Sequence, residues 1–212
     1  RILSSAASDV YKRQIDDKVF KYLNDHNLEL YIKNSFIAVL GVDEYEVIKS
    51  LNVLKNSIEW EQINKLANDK IFNLIDKNEK DSLIVKRGGE AFHKDIPDIK
   101  AYDDNYKTIT TEFNKPYLMH GSIGPSASCS IYKSGKFEIY SHSQAIYALK
   151  SILTNAFNLD EKSITLHFMP GAGCYGHNGA DDVTYEAALL SKEFKNKHVL
   201  LKWTREDEHC WE

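Results

Sequence analysis

The chain has 212 residues, and its 31 acidic and 27 basic side chains are interspersed to give a net charge of -4. No basic stripe is present to neutralise a phosphate backbone, which sets nucleic-acid binding aside, and no apolar run approaches the roughly 18 residues of a bilayer span or has signal-peptide form. Three cysteines, Cys129, Cys174 and Cys210, stand far apart and never as a C-x-x-C pair, so they read as packed thiols rather than a disulfide framework or a zinc knuckle.

In chain order, residues 1–14 (RILSSAASDVYKRQ) resemble an adaptor-derived leader and are set apart from the fold as non-native. The apolar run Phe36 to Leu40 predicts a buried strand. Beyond Gly41 a helix is expected, with Asp43 as N-cap, Glu46 three residues on, and Val47, Ile48, Leu51 and Leu54 at helical spacing. Residues 61–110 are polar, with short apolar bursts such as Leu83 to Val85, and read as a linker that turns at Gly88–Gly89. The texture then becomes strand-like in TITTEF (108–113), SCSIYKSG (128–135) and KFEIYSH (136–142), with Ser134–Gly135 as a hairpin turn.

Ile146, Leu149, Leu153 and Phe157 share one helical face, predicting a helix from about Ser143 to Asn158, and Ile164, Leu166 and Phe168 alternate as a strand. A glycine-rich loop follows. The stretch DDVTYEAALLSKEF (181–194) then reads as a helix capped by Asp181 or Asp182, with Glu186 in its early turns, and HVLLKWT (198–204) as a strand. The closing run REDEHCWE (205–212) reads as a solvated face or an ion-paired rim, in which Arg205 is a candidate to meet a phosphate. With no closing element after that strand, the chain is expected to be a fragment of something longer.

The loop MPGAGCYGHNGADD (169–182) places four glycines within nine residues, and three readings stand. Gly171, Gly173 and Gly176 spell the dinucleotide-binding G-x-G-x-x-G, although His177, Asn178, Gly179 and Ala180 intervene before a convincing cap and Tyr175 is bulky against a pyrophosphate. The glycines could serve only as a sharp turn. In the third reading they let bare main-chain N–H groups approach an oxygen ligand or phosphate. A plain turn would leave a non-catalytic binding module, whereas the dinucleotide reading makes a Rossmann-type oxidoreductase.

The third reading comes from a longer pattern. KPYLMHGSIGPSAS, EIYSHSQAIYALKSIL, PGAGCYGHNGADDVTYEAALL and VLLKWTREDEH together resemble, in order and spacing, the molybdopterin-binding large subunit of the xanthine dehydrogenase and aldehyde oxidase family, in its isoquinoline 1-oxidoreductase and nicotinate dehydrogenase branch. The resemblance covers most of residues 30–212 and implies an α+β fold. It divides the chain into residues 15–60 as the end of a hammerhead-like α/β domain, 61–110 as a linker, and 111–212 as the first part of a molybdenum-cofactor-binding domain.

By the same resemblance, Ala172 to Gly176 match a glycine-rich segment that approaches the molybdenum and its pterin, which makes Gly173, Cys174, Tyr175 and Gly176 candidate cofactor-binding residues. Gln144 matches a glutamine whose amide donates to an oxygen ligand of the metal without adding charge. His120, Gly121 and Gly124 match a region near the substrate pocket; the carboxylate that xanthine and aldehyde enzymes tend to carry close to Gly124 is missing here. The implied cofactor is molybdopterin, as its cytosine dinucleotide, with molybdenum held by the pterin sulfurs and no protein side chain as a direct ligand. The histidines at 142, 167, 177, 198 and 209 lack zinc-site spacing.

The implied reaction is hydroxylation of an electron-poor carbon of an N-heteroaromatic or an aldehyde with water as oxygen source. Electrons leave through [2Fe-2S] clusters on a small partner subunit. The family's glutamate base has no match in this chain, so the fragment is expected to be inactive alone.

Overall fold

The structure, a computed structural model, describes residues 2–3, 10–62, 86–87, 90–91, 105, 107, 109–116, 118–175 and 182–211. The chain divides into two compact units, Arg1–Ile63 with Leu118–Glu212, and Asn64–Tyr117. It is a mixed α+β protein.

In the first unit the strands are β1 (Ile2–Leu3), β2 (Val10–Ile15), β3 (Glu29–Lys33), β4 (Phe36–Leu40) and β5 (Ile58–Gln62), with helices α1 (Asp17–Asp25) and α2 (Glu44–Ser57). β1, β4 and β3 form a three-stranded sheet with β4 central, and β2 pairs with β5. β4 shows why its sequence is a continuous apolar run. Ile37 and Val39 join Val19, Leu23, Leu54 and Ile58 beneath α1 and α2. From its other face Ala38, flanked by Phe36 and Leu40, joins a second core with Val183, Ala187, Leu190 and Trp203. A strand buried on both faces has no polar alternation to show.

Asp43 caps α2 as predicted, its Oδ1 accepting from the backbone N–H of Tyr45 at 2.8 Å and Glu46 at 3.1 Å. Leu51 and Leu54 are buried, but Ile48 is 46% exposed, because α2 covers the sheet with a narrower stripe than the sequence pattern suggests. Replacing Asp43 with Ala is expected to cost about 1 kcal/mol through loss of both acceptor contacts. Urea unfolding of Asp43→Ala checks this, and an unchanged midpoint would remove the cap from the account.

Parts of residues 1–14, expected from sequence to be a leader outside the fold, pair with these sheets. Ile2 and Leu3 lie opposite Ala38 and Ile37, and Val10 to Ile15 run antiparallel to β5. Open backbone edges on β4 and β5 accept an extended neighbour through main-chain bonds alone, which side-chain pattern does not reveal.

The rest of this unit holds a four-stranded sheet ordered β10-β9-β8-β11. Its strands are β8 (Ala127–Lys133), β9 (Lys136–Ser141), β10 (Ile164–Phe168) and β11 (Val199–Lys202), and its helices are α3 (Ile146–Phe157), α4 (Asp182–Glu193) and α5 (Arg205–Trp211). Ser134 (φ 50°) and Gly135 (φ 79°) make the predicted two-residue hairpin turn between β8 and β9. β9 and β10 are parallel, joined by the crossover helix α3. That helix starts at Ile146 rather than Ser143, because the Ser141 and Ser143 hydroxyls accept the N–H groups of residues 143 and 145 and hold turns there.

Helix α4 lies between the two sheets and is buried on more than one side. Val183, Ala187 and Leu190 face the core shared with β4, and Ala188 faces the core of Phe137, Ile139, Leu149, Leu153 and Ile164. Between them Thr184 and Ser191 hydrogen-bond Ser141 and Ser130, each at 2.8 Å, so buried hydroxyls are paired and small side chains let helix and sheet approach closely.

β10 is an edge strand, and Phe168 at its end is 58% exposed rather than buried. The final charged run is helix α5; Arg205, Glu206 and His209 are exposed and Glu206 pairs with Lys55 at 2.7 Å, as a solvated, ion-paired rim predicts, whereas Glu208 is buried. Of the 108–113 stretch predicted as a strand, residues 109–113 carry no regular structure, and Ile109 and Phe113 are exposed.

In the second unit β6 (Lys86–Arg87) and β7 (Glu90–Ala91) pair antiparallel across residues 88–89. Gly88, Gly89 and the Leu83–Val85 burst lie outside the described residues. Among the described residues, no helix is long and apolar enough to cross a membrane.

Candidate functional site

The carboxyl ends of parallel β9 and β10 open on the same end of the four-stranded sheet, where connecting loops diverge and leave room for a ligand. A cavity of about 320 Å³ lies there. β9 and the residue after it contribute Tyr140, Ser141 and His142, and the segment after β10 contributes Met169 to Gly173. The antiparallel strand β8 brings Ala127, Ser128 and Cys129 to the same end; Gly124 and Pro125 precede it, and Leu200 of β11 completes the wall. None of these residues is Asp, Glu, Lys or Arg.

Register explains the selection. Phe137, Ile139 and Ser141 face the helices, whereas Glu138 and Tyr140 face the other way, opposite Ile131 and Cys129. On that outer face Tyr140 donates to Glu138 Oε1 at 2.7 Å and stacks on His167 with ring centroids 4.7 Å apart. The bond to Glu138 raises the Tyr140 phenol above its usual range, and burial pushes the Cys129 thiol up. Cys129 is therefore a protonated thiol near neutral pH.

Two loops meet at the cavity. A Cβ added to Gly124 would lie 2.9 Å from the Cβ of Ala172, so the loops touch only because residue 124 is glycine. Gly173 has φ +121°, and a Cβ there would sit 2.8 to 3.0 Å from the ring of Tyr175. Tyr175 itself has φ 52°. Glycine at 173 thus lets the Tyr175 ring lie close over the main chain of its own loop, a contact that any side chain at 173 would displace.

The sequence-predicted residues divide. Gly124 and Gly173 line the cavity. Gln144 leaves the carboxyl end of β9 two residues beyond His142, on the same end of the sheet, but is exposed and is not among the lining residues. Cys174 is half-buried, Tyr175 is exposed, and His120 and Gly121 are exposed, all outside the lining. Gly176 lies outside the described residues, as does Asp181; Asp182, the other expected cap, is instead the first residue of α4.

Sequence reasoning missed Cys129, Tyr140 and His142 at the cavity, and it missed the role of α5. Arg205, a candidate for phosphate contact, instead donates through Nη2 to the carbonyls of Ser122 at 2.5 Å and Ile123 at 2.8 Å. Glu208, read as solvated, is buried and accepts from the backbone N–H of Ser126. Alternation in β8 and β9 was the available signal for Cys129 and Tyr140; no local signal existed for Glu208.

The topology also departs from a dinucleotide-binding sheet. β8 runs antiparallel between β9 and β11, and the strand before the glycine loop is at the edge, whereas the Rossmann loop sits within a run of adjacent parallel strands. Among the described residues, no three His, Cys, Asp or Glu side chains are grouped to hold a metal ion.

No protein-family model matches the chain. A stretch of 97 residues, 46% of the chain, is 40% identical to a nicotinate dehydrogenase subunit of Pseudomonas putida and spans 8% of that protein. The fold matches the crystal structure of quinoline 2-oxidoreductase from Pseudomonas putida 86 with a TM-score of 0.60 and 9% identity, over 98% of this chain and 31% of that one. The structural likeness shows a shared fold, and the chain spans 8% and 31% of the lengths of the two proteins it matches.

Proposed function

We propose that this chain is part of the large subunit of a molybdenum hydroxylase, and that its cavity is one wall of the cofactor and substrate pocket. The observation that carries this reading is the close approach of Gly124 to Ala172 over a cavity at the carboxyl ends of β9 and β10 whose lining holds no Asp, Glu, Lys or Arg. The 40% identity over 97 residues supports it.

In this reading the main-chain N–H groups around Gly173 to Gly176 and the amide of Gln144 would hold a molybdopterin cofactor in its cytosine dinucleotide form, with Cys174 and Tyr175 beside it. His120, Gly121 and Gly124 would border the substrate. When bound, the cofactor supplies the two-electron oxidation and transfer of oxygen from water. The chain's own contribution would be donors without charge: backbone N–H groups and an amide would stabilise developing negative charge without adding a formal charge beside the metal. The lining residues include no carboxylate, and His142 is the titratable side chain there besides Cys129 and Tyr140.

The substrate class is an N-heteroaromatic or an aldehyde, with electrons passing to [2Fe-2S] clusters on a small partner subunit. Residues 15–60 correspond in this reading to the end of a hammerhead-like domain, 61–110 to a linker, and 111–212 to the first part of the cofactor domain.

Equilibrium dialysis of the 212-residue chain against released molybdenum cofactor, with adenine dinucleotides as competitors, tests the proposal. One wall of a cleft offsets little of the entropy lost on binding, so the expected result is weak saturable cofactor binding, no dinucleotide binding, and no turnover of N-heteroaromatics by the chain alone. Dinucleotide binding without cofactor binding contradicts the reading in favour of a Rossmann-type enzyme, and binding of neither favours a plain turn in a non-catalytic module.

A further inference from the structure

The 122–126 loop carries Gly124 and Pro125 into the cavity wall, yet belongs to no strand or helix. It is held from outside by α5. Arg205 at the start of that helix donates to the carbonyls of Ser122 and Ile123, and one turn later Glu208 accepts from the N–H of Ser126. The Ser126 carbonyl accepts in turn from the N–H of Trp203 at 2.9 Å, just before α5. Inside the loop, the Ser122 hydroxyl donates to the Gly124 carbonyl at 3.1 Å. The two charged side chains of α5 thus bracket the loop, a cation on its carbonyls and a carboxylate on its N–H, and the glycine between them presses on Ala172.

We propose that Arg205 and Glu208 are positioning residues: by bracketing the 122–126 loop they fix the wall that closes over Cys129 and faces the glycine loop, so α5 sets access to the cavity. This rests on the cavity being the functional site, but its test needs no cofactor. A carboxylate that accepts a main-chain N–H while 4% exposed makes a charge-assisted bond in a poorly solvated place. Removing it leaves the Ser126 N–H seeking water and favours an open loop.

Cys129 reports the loop's position, because it lines the cavity beside Gly124 and Pro125. In the full 212-residue chain carrying Cys174→Ser and Cys210→Ser, the rate at which a thiol reagent modifies Cys129 would be measured for Arg205→Ala, Glu208→Ala and Glu208→Gln across low urea concentrations. Loss of a hydrogen bond to a charged group is expected to speed modification about tenfold in the two alanine variants. Glu208→Gln keeps an acceptor oxygen and stays close to the parent rate. Local opening exposes little surface, so the accelerated rates stay flat with urea.

Unchanged rates in the alanine variants overturn the proposal. So does equal acceleration by glutamine and alanine at position 208, or a steep urea dependence, either of which signals general loosening. Should Glu208→Ala fail to fold, the exposed Arg205→Ala and the isosteric Glu208→Gln decide alone. Failure of the molybdenum reading appears separately, as absence of cofactor binding with the loop behaviour intact.

Discussion

Phe137→Ala is expected to remove about 3–5 kcal/mol of stability, a large share of the roughly 5–15 kcal/mol that native proteins commonly possess. Phe137 sits at the start of β9, 2% exposed, where the four-stranded sheet meets α3. Its ring lies 4.6 Å from that of Tyr132 across the hairpin and 4.9 Å from that of Phe157 at the end of α3. Leu149, Leu153, Ile164 and Ala188 complete the same core. Truncation loses the transfer energy of the ring and opens a void that β9 cannot close, because its register is pinned by β8 on one side and β10 on the other. Urea denaturation would show the midpoint collapsing with little change in slope. A loss below about 1 kcal/mol would mean that this core is not where the crossover is anchored.

Gly173→Val is expected to rebuild the glycine loop while leaving the rest of the fold in place. At φ +121° a β-branched residue is strained by about 1–3 kcal/mol, and the added carbon falls on the ring of Tyr175. The strain is released by turning the peptide or displacing the ring, and either changes the main-chain surface beside the cavity. If that backbone holds a ligand, the cost appears in binding as roughly ten- to hundredfold weaker affinity. Thermal unfolding should move little, because the loop lies outside the buried cores. A variant with full affinity would show that Gly173 serves as a turn only.

Much of the fold is legible where one residue settles a local choice. Asp43 can cap only the helix that begins at Glu44, Ser134–Gly135 supplies two left-handed residues for the hairpin, and the Leu149, Leu153, Phe157 stripe has one face to bury. The position of α4 is less legible. Its Ala, Ser and Thr positions look like a weakly amphipathic surface helix, and only packing between two sheets explains why they are buried. Helix α5 was hidden because Arg205 and Glu208 act on the main chain of a loop distant in sequence, and a charged run ordinarily belongs to solvent.

The site divides in the same way. Gly124 and Gly173 carried a visible signal, since glycine at a close approach has a steric reason. Cys129, Tyr140 and His142 reach the cavity through register and strand direction, which are properties of the assembled sheet. Gln144, singled out by resemblance, stands at the same end of the sheet but outside the cavity wall.

The most direct measurement of the central claim is protection of Cys129 by released molybdenum cofactor, under anaerobic conditions, in the unaltered chain, with modification of Cys129 read separately from that of Cys174 and Cys210 by peptide mass analysis. Cofactor seated against the Gly171–Gly173 backbone covers the wall that holds Cys129, so its modification should slow in a saturable manner, and Gly173→Val should abolish the effect. Modification that proceeds at the same rate at every cofactor concentration would contradict the assignment.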